Sequence, residues 1–213
     1  MAPMTSENDI LFIDKPSGIT SFDVIRRLRR ERGIKKMGHA GTLDPLATGL
    51  LIIAVGKSTK RINEFMGLPK EYEVLIEFGK TSNTYDADGT LIDGILRDIP
   101  REEFERALVP FIGDIQQMPP AFSALKIKGQ RAYDLARKGE KVELQARPVH
   151  IESMEILMWS WPLVRLRVKC GKGTYIRSIA HDLGNALGTG GYVKELRRTA
   201  IGEFRVDDAE KMG

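Results

Sequence analysis

The stretch from Gly38 to Gly49, with the unbroken apolar run Leu50-Leu51-Ile52-Ile53-Ala54-Val55 behind it, constrains this chain more than any other. A run of that length and composition reads as a buried strand. In front of it, glycine and proline crowd around one carboxylate, Asp44. Gly38 and Gly41 allow backbone angles that other residues resist. Pro45 fixes its own φ and pushes Asp44 toward an extended or turn conformation. The segment is therefore a rigid, non-repeating loop that presents one acid beside a buried strand. An Asp-Pro pair alone is an ordinary turn former, so a functional reading depends on what the rest of the chain supplies.

The 213 residues carry 42% hydrophobic and 29% charged side chains, enough for a real core and a soluble surface. No apolar run approaches the ~20 residues that span a bilayer, and Met1 to Asp9 lacks the basic start and apolar centre of a signal peptide. One cysteine, Cys170, excludes an internal disulfide, and the expected compartment is the cytoplasm. Three histidines and that cysteine, far apart in sequence, argue against a zinc site, and no metal is expected. The net charge of +4 is mild, but the cations cluster. Arg26, Arg27, Arg29, Arg30, Arg32, Lys35 and Lys36 form one group. Lys126, Lys128, Arg131, Arg137, Lys138, Lys141 and Arg147 form a second, and Lys194, Arg197 and Arg198 a third. Three such clusters in a small chain suit a nucleic acid.

Apolar periodicity and capping signals give the elements. Ile10 to Ile13 is a short strand. Thr20 or Ser21 caps a basic amphipathic helix with Phe22, Ile25 and Leu28 at helical spacing, and Gly33 ends it. Ser58 or Thr59 is expected to cap a short helix containing Ile62 and Phe65. Lys70 to Gly79 alternates as a half-exposed strand. A helix begins at Pro100 with Phe104, Leu108 and Phe111 inside. Met118 to Ala124 is irregular, and Gly129 to Gly139 is expected to be helical. Val149 to Glu155 and Leu163 to Cys170 are strands. Thr174 is expected to cap a helix with Ile176, Ile179, Leu183 and Leu187 as its buried stripe, and Tyr192 to Thr199 leads to a last strand near Phe204 and Val206.

Two phosphate motifs fail on inspection. Val55-Gly56-Lys57-Ser58 ends like a P-loop, but the required upstream glycine is replaced by Leu51. Asp86-Ala87-Asp88-Gly89-Thr90 resembles a phosphohydrolase nucleophile motif. The polar run Thr81 to Tyr85 stands where an apolar strand should lead into the first aspartate. Nor does it have the ligand spacing of an EF-hand.

Four separated motifs then align with one family. Lys15-Pro16 with Gly18, Thr20 and Ser21; Gly38 to Pro45 with Ala47-Thr48-Gly49; Lys70 with Tyr72; and Gly173-Thr174-Tyr175-Ile176-Arg177-Ser178 resemble the bacterial tRNA pseudouridine synthase B (TruB) family. Leu196-Arg197-Arg198-Thr199 followed by Gly202 fits as well, so the resemblance runs from Ile10 to about Val206. It implies isomerisation of the T-loop uridine of tRNA to pseudouridine, without a cofactor. Asp44 is implied as the essential carboxylate, either forming a covalent intermediate or taking a sugar proton. Arg177 matches the buried arginine that keeps such a carboxylate charged and aligned. Tyr72 matches the residue that stacks on the base, its hydroxyl a candidate for removing the C5 proton. Tyr175 and Leu196 match the lining of the uracil pocket. His39 matches the residue that fills the gap left by flipped nucleotides, and Lys60 is a candidate for a structural or phosphate-contacting role.

The expected architecture is an α/β (α+β) domain of the pseudouridine synthase fold, with a mixed, largely antiparallel central sheet and flanking helices. It is read as one domain over 1–213, with an RNA-gripping thumb at about 119–148 and without the C-terminal PUA-type domain common in the family. The expected partner is the T arm of tRNA, bound by a monomer, with no membrane. A non-catalytic RNA-binding or tRNA-folding factor is the alternative, and a phosphohydrolase using Asp86 and Asp88 the more distant one.

Overall fold

The computed structural model describes residues 9–123, 126–127, 130–131 and 144–212, with only the backbone at 126–127 and 130–131. In chain order the elements are β1 (Ile10–Lys15), α1 (Ser21–Arg32), β2 (Met37–His39), β3 (Thr48–Val55), α2 (Ile62–Gly67), β4 (Lys70–Phe78), β5 (Lys80–Ser82) and β6 (Leu91–Asp93). There follow α3 (Arg101–Leu108), β7 (Gly113–Gln117), β8 (Lys126–Ile127), β9 (Gln130–Arg131), β10 (Arg147–Ser160), β11 (Leu163–Cys170), α4 (Ile176–Ala186), β12 (Gly191–Ile201), β13 (Phe204–Arg205) and β14 (Glu210–Lys211). The chain divides into two compact units, Met1–Glu73 with Leu196–Gly213, and Val74–Glu195. β4 and β12 each contribute residues to both.

In the first unit β3 is the central strand. Leu50 to Val55 are all 0–1% exposed, as an uninterrupted apolar run requires when both faces are covered. β1 lies antiparallel to it, from Ile10 opposite Ala54 to Lys15 opposite Gly49, and β2 pairs on its C-terminal half. β12 joins in parallel through Arg197 opposite Thr48 and Arg198 opposite Gly49, and β14 runs parallel to β1. Ala40, Leu50, Ile52, Phe65, Ile201 and Val206 form one buried cluster, against which Phe12 and Phe204 stack at 4.9 Å. Each large aliphatic side chain buried in this way contributes about 1.5–3 kcal/mol. α1 starts with a capping box: Thr20 and Asp23 exchange side-chain to backbone hydrogen bonds, and Gly33 closes the helix at φ 69°.

The second unit is built on antiparallel pairs, β10 with β11 and β10 with β7, and two small hairpins, β5–β6 and β8–β9. Val164, Leu166, Val168 and Cys170 alternate inward along β11, and Ile176, Ile179, Leu183 and Leu187 form the buried stripe of α4 and its end. Phe78 packs on Phe104 and Trp161. Mostly antiparallel pairing with helices fits the expected mixed architecture.

Several local expectations are corrected. Gly38 has no positive φ, so its backbone does not call for glycine; a Cβ there would come within 2.6 Å of Ile62 Cδ1, the movable end of that side chain. Neither Ser58 nor Thr59 caps α2: a 3-10 turn over Gly56–Arg61 leads straight into it, and the Thr59 hydroxyl donates to the Gly56 carbonyl. Thr174 does not cap α4, because its hydroxyl donates to the Gly171 carbonyl of the preceding turn and Tyr175 occupies the cap. β4 is more buried than an alternating strand predicts, with Val74, Leu75 and Ile76 all inside. Tyr192 to Thr199 is itself strand, within β12. Of the helix expected over Gly129 to Gly139, Gln130–Arg131 is instead strand β9, paired antiparallel with β8, and the rest lies outside the described residues, as does much of the expected thumb.

Candidate active site

The Asp44 loop is fixed on both sides by the first unit. Leu43 and Ala47 are buried while Asp44 between them is half-buried, so the flanking residues anchor the turn. The Ser21 hydroxyl, at the start of α1, accepts from the Leu43 N–H at 2.9 Å and donates to the Leu43 carbonyl at 3.1 Å. The Ala47 N–H returns to the Asp44 carbonyl at 3.1 Å, closing the turn. The Pro45 carbonyl accepts from the Gly18 N–H at 2.9 Å and from Lys15 Nζ at 3.2 Å, and the Ser17 hydroxyl donates to the Leu46 carbonyl at 2.9 Å. Lys15 is fully buried, its ammonium also donating to the Pro16 and Ile19 carbonyls.

Arg198 holds the other end. Only 1% exposed, it donates to the Leu50 carbonyl at 2.8 Å and the Gly41 carbonyl at 3.1 Å. Gly49, at φ 103°, lets the Arg198 backbone pass where a Cβ would meet its carbonyl oxygen at 2.3 Å. His39 sits at the end of β2. Burial, and then the nearby Arg198 charge, hold its pKa below the ordinary imidazole value, so it is neutral at physiological pH. Its Nδ1 is buried and has no hydrogen-bond partner among the described residues. Tyr72 is half-buried on β4, and Leu196 is buried on β12, its carbonyl 3.4 Å from the Thr48 hydroxyl. Lys60 is exposed in the 3-10 turn.

In the second unit Arg177 is 6% exposed, on the first turn of α4. It donates to the Thr84 and Phe122 carbonyls, each at 2.9 Å, and lies 3.4 Å from the Asp86 carboxylate. Asp86 also accepts from the Thr84 hydroxyl at 2.5 Å and the Asp88 N–H at 3.2 Å. Tyr175 is placed by Gln117, whose buried side-chain amide bonds both the Tyr175 N–H and its carbonyl.

The structure therefore brings His39, Asp44, Tyr72, Leu196 and Lys60 into the first unit and Tyr175 and Arg177 into the second. Sequence reasoning did not single out Ser21, Lys15, Arg198, Asp86 or Gln117 as site-building residues. Asp86 had a signal, the polar run before it, read only as evidence against a phosphohydrolase. Burial at 4% beside Arg177 makes Asp86 a counter-ion rather than an exposed nucleophile. The third basic cluster is also reassigned. Arg198 is buried, Arg197 forms a two-pronged pair with Asp14, and Lys194 pairs with Glu77 at 2.7 Å. Of the first cluster, Arg26, Arg27 and Arg32 are held by Asp23, Glu31 and Glu210, while Arg30, Lys35 and Lys36 remain exposed. Among the described residues no cluster of histidine, cysteine and carboxylate side chains could hold a metal ion, and no helix is long and apolar enough to cross a membrane.

The sequence of residues 29–176 matches the model of the TruB family pseudouridylate synthase N-terminal domain. This chain belongs to the TruB family. Residues 177–212 match the tRNA pseudouridylate synthase B C-terminal domain, so the family signal covers nearly the whole described chain. The chain is 48% identical to the tRNA pseudouridine synthase B of Phocaeicola vulgatus, over 95% of its own length and 89% of the relative's. To that of Opitutus terrae it is 43% identical, over 97% and 86%. Among solved structures it is similar to one described as a Cbf5-Nop10-Gar1 complex, with TM-score 0.75 and 30% identity over 97% of this chain and 52% of the other. It is also similar to an H/ACA RNP bound to a substrate RNA containing 2'-deoxyuridine, with TM-score 0.72 and 27% identity over 96% and 51%. The TruB chain thus spans about half the length of those two.

Proposed function

We propose that this chain isomerises a T-loop uridine of tRNA to pseudouridine, with Asp44 as the reacting carboxylate. The observation that carries the reading is the Asp44 loop itself: buried residues on both sides, backbone tied to Ser21, Lys15, Gly18 and Arg198, and one half-buried acid at its centre. A loop fixed so densely around one acid suits chemistry that needs the acid in one place. The relatives named tRNA pseudouridine synthase B supply the substrate class.

The reaction breaks the bond from N1 to the sugar C1′, turns the base and joins C5 to C1′; the C5 proton is lost and N1 gains one. Substrate and product are isomers, so no electrons are exchanged with a cofactor. Asp44 serves either by attacking C1′ or by taking a proton from the sugar. Arg177 supports the negative charge of that carboxylate. Tyr72 stacks on the detached base, which leaves the base free to turn, and its phenol oxygen takes the C5 proton as its own proton passes to solvent. Tyr175 and Leu196 line the uracil pocket. His39, neutral and aromatic, fills the gap left by flipped nucleotides. Lys60, exposed, contacts a phosphate, as do Arg30, Lys35 and Lys36. The enzyme acts as a monomer.

Chemical mapping of pseudouridine in a full-length tRNA transcript tests the substrate. Modification at one T-loop position, and at no other uridine, is expected. A pattern of modification elsewhere in the tRNA, or none, would overturn it.

A further inference from the structure

We propose that Tyr85 and His181 form a stacked clamp that positions Arg177 for the reaction. The proposal rests on the role given to Arg177 above. Tyr85 lies between the two residues that hold Arg177 from the loop side, Thr84 through its carbonyl and Asp86 through its carboxylate. His181 lies four residues after Arg177 on α4, so both side chains leave the same helix face one turn apart. The Tyr85 and His181 rings stack with centroids 3.8 Å apart and planes at 9°. The loop is thus joined to the helix twice, at Arg177 and one turn further on.

The backbone conformation sets Tyr85 apart. Among the described residues Tyr85 alone, apart from glycines, has a positive φ, at 66°. That region is disfavoured for a side chain with a Cβ and is where glycine would be the relaxed choice. The strained conformation is held by hydrogen bonds on both sides: the Tyr85 N–H donates to the Ser82 carbonyl at 3.1 Å, and the Val193 N–H donates to the Tyr85 carbonyl at 3.0 Å. Strain of this kind persists where surrounding structure over-determines it. Here it aims an aromatic ring at the helix that carries Arg177.

His181 is held in turn. Its Nε2 lies 3.0 Å from the Asn185 side-chain amide, one turn further along α4. Burial favours the neutral ring, against the opposing charge of Asp182. A neutral planar ring on a phenol ring is a contact that phenylalanine can reproduce at either position.

The test measures kcat and KM for pseudouridine formation, tRNA affinity and melting temperature. The variants are Tyr85→Gly, Tyr85→Phe, His181→Leu, His181→Phe and Arg177→Lys. Tyr85→Gly relieves the backbone strain and removes the ring, so it separates the two. A clamp predicts that Tyr85→Gly and His181→Leu lose at least tenfold in kcat with KM and tRNA affinity within twofold of wild type. Both phenylalanine variants should keep at least half of kcat. Folded Tyr85→Gly and His181→Leu proteins with wild-type kcat would overturn the proposal, and so would phenylalanine variants as impaired as these. If Tyr85→Gly fails to fold, the two His181 variants decide the matter alone by the same criteria. The underlying reading fails separately: inactivity of the wild type, or full activity of Arg177→Lys, would refute the role of Arg177 itself.

Discussion

The ammonium of Lys15, the last residue of β1, donates to the carbonyl of Pro45, the residue after Asp44, at 3.2 Å. Two places thirty residues apart are thereby joined at the reacting loop. The Gly18 N–H reaches the same oxygen at 2.9 Å. Lys15 is fully buried and also donates to the Pro16 and Ile19 carbonyls. Lys15→Met keeps the length of the stem and deletes the donor. It should cost about 1–3 kcal/mol of stability, the penalty for leaving buried acceptors unsatisfied. Urea denaturation checks this, and kcat should fall by more than any rise in KM, because the reacting loop loses one of its ties. Wild-type stability in Lys15→Met would show that the contact is incidental.

Gly49 and Gly33 make a matched pair of tests. Both have positive φ, but a Cβ on Gly33 meets nothing within 4 Å, whereas one on Gly49 meets the Arg198 backbone at 2.3 to 2.9 Å. Gly33→Ala should cost about 1 kcal/mol from backbone strain alone. Gly49→Ala must also push β3 from β12, and should cost more than about 4 kcal/mol or prevent folding. Thermal melts of the two variants compare them directly. Equal losses would mean that the close approach of β3 and Arg198 carries no weight.

Asp86 and Asp88 are two residues apart in a motif that superficially suits phosphate chemistry, yet they sit in different surroundings. Asp86 is buried beside Arg177, and Asp88 is exposed. Asp86→Asn removes a buried counter-charge, an alteration that costs about 3–5 kcal/mol in comparable pairs. It should lower kcat at least about tenfold, or about 1.4 kcal/mol of barrier. Asp88→Asn should remain within about twofold of wild type. The same assay with both variants, together with a melt, checks this, and a reversed order of effects would return Asp88 to consideration.

His39 sets a pH dependence. Its folded pKa is lowered, first by burial and then by Arg198, while in the unfolded chain it titrates near 6.5. Between those two values the unfolded state binds more protons, so stability rises with pH. The stabilisation is complete above about 6.5 and is lost as pH falls through the folded value. His181 acts in the same direction, and Asp182, whose pKa burial raises, opposes them. Melting temperatures of wild type should therefore drop between about pH 7 and pH 5, and His39→Gln should show a shallower drop. Parallel curves for the two proteins would refute the assignment.

Much of this was legible in the residues, and the exceptions have physical causes. β3, β11 and the inner face of α4 announce themselves by apolar periodicity, because burial is what selects those side chains. The capping box of α1 and the glycine that ends it are local devices and were readable for the same reason. The Asp44 loop was legible because glycine and proline restrict or release backbone angles in place. What builds the site from a distance was not. Lys15, Arg198 and Gln117 bond backbone groups far along the chain, and nothing near them in sequence marks the partner. Charge misled for a related reason: Lys194, Arg197 and Arg198 look like a basic patch, but two are neutralised by Glu77 and Asp14 and the third is buried. Tyr85 gave no hint of a left-handed backbone, since tyrosine is a residue that normally avoids it.

Release of tritium from a T-loop transcript labelled at uracil C5, compared between wild type and Asp44→Asn, tests the central claim most directly. Forming the C5–C1′ bond expels the C5 hydrogen, so the label reports the isomerisation itself. Wild type should release the label stoichiometrically. A folded Asp44→Asn protein that still binds the transcript should release none above background. Release by Asp44→Asn at the wild-type rate, or none by wild type, would contradict the claim.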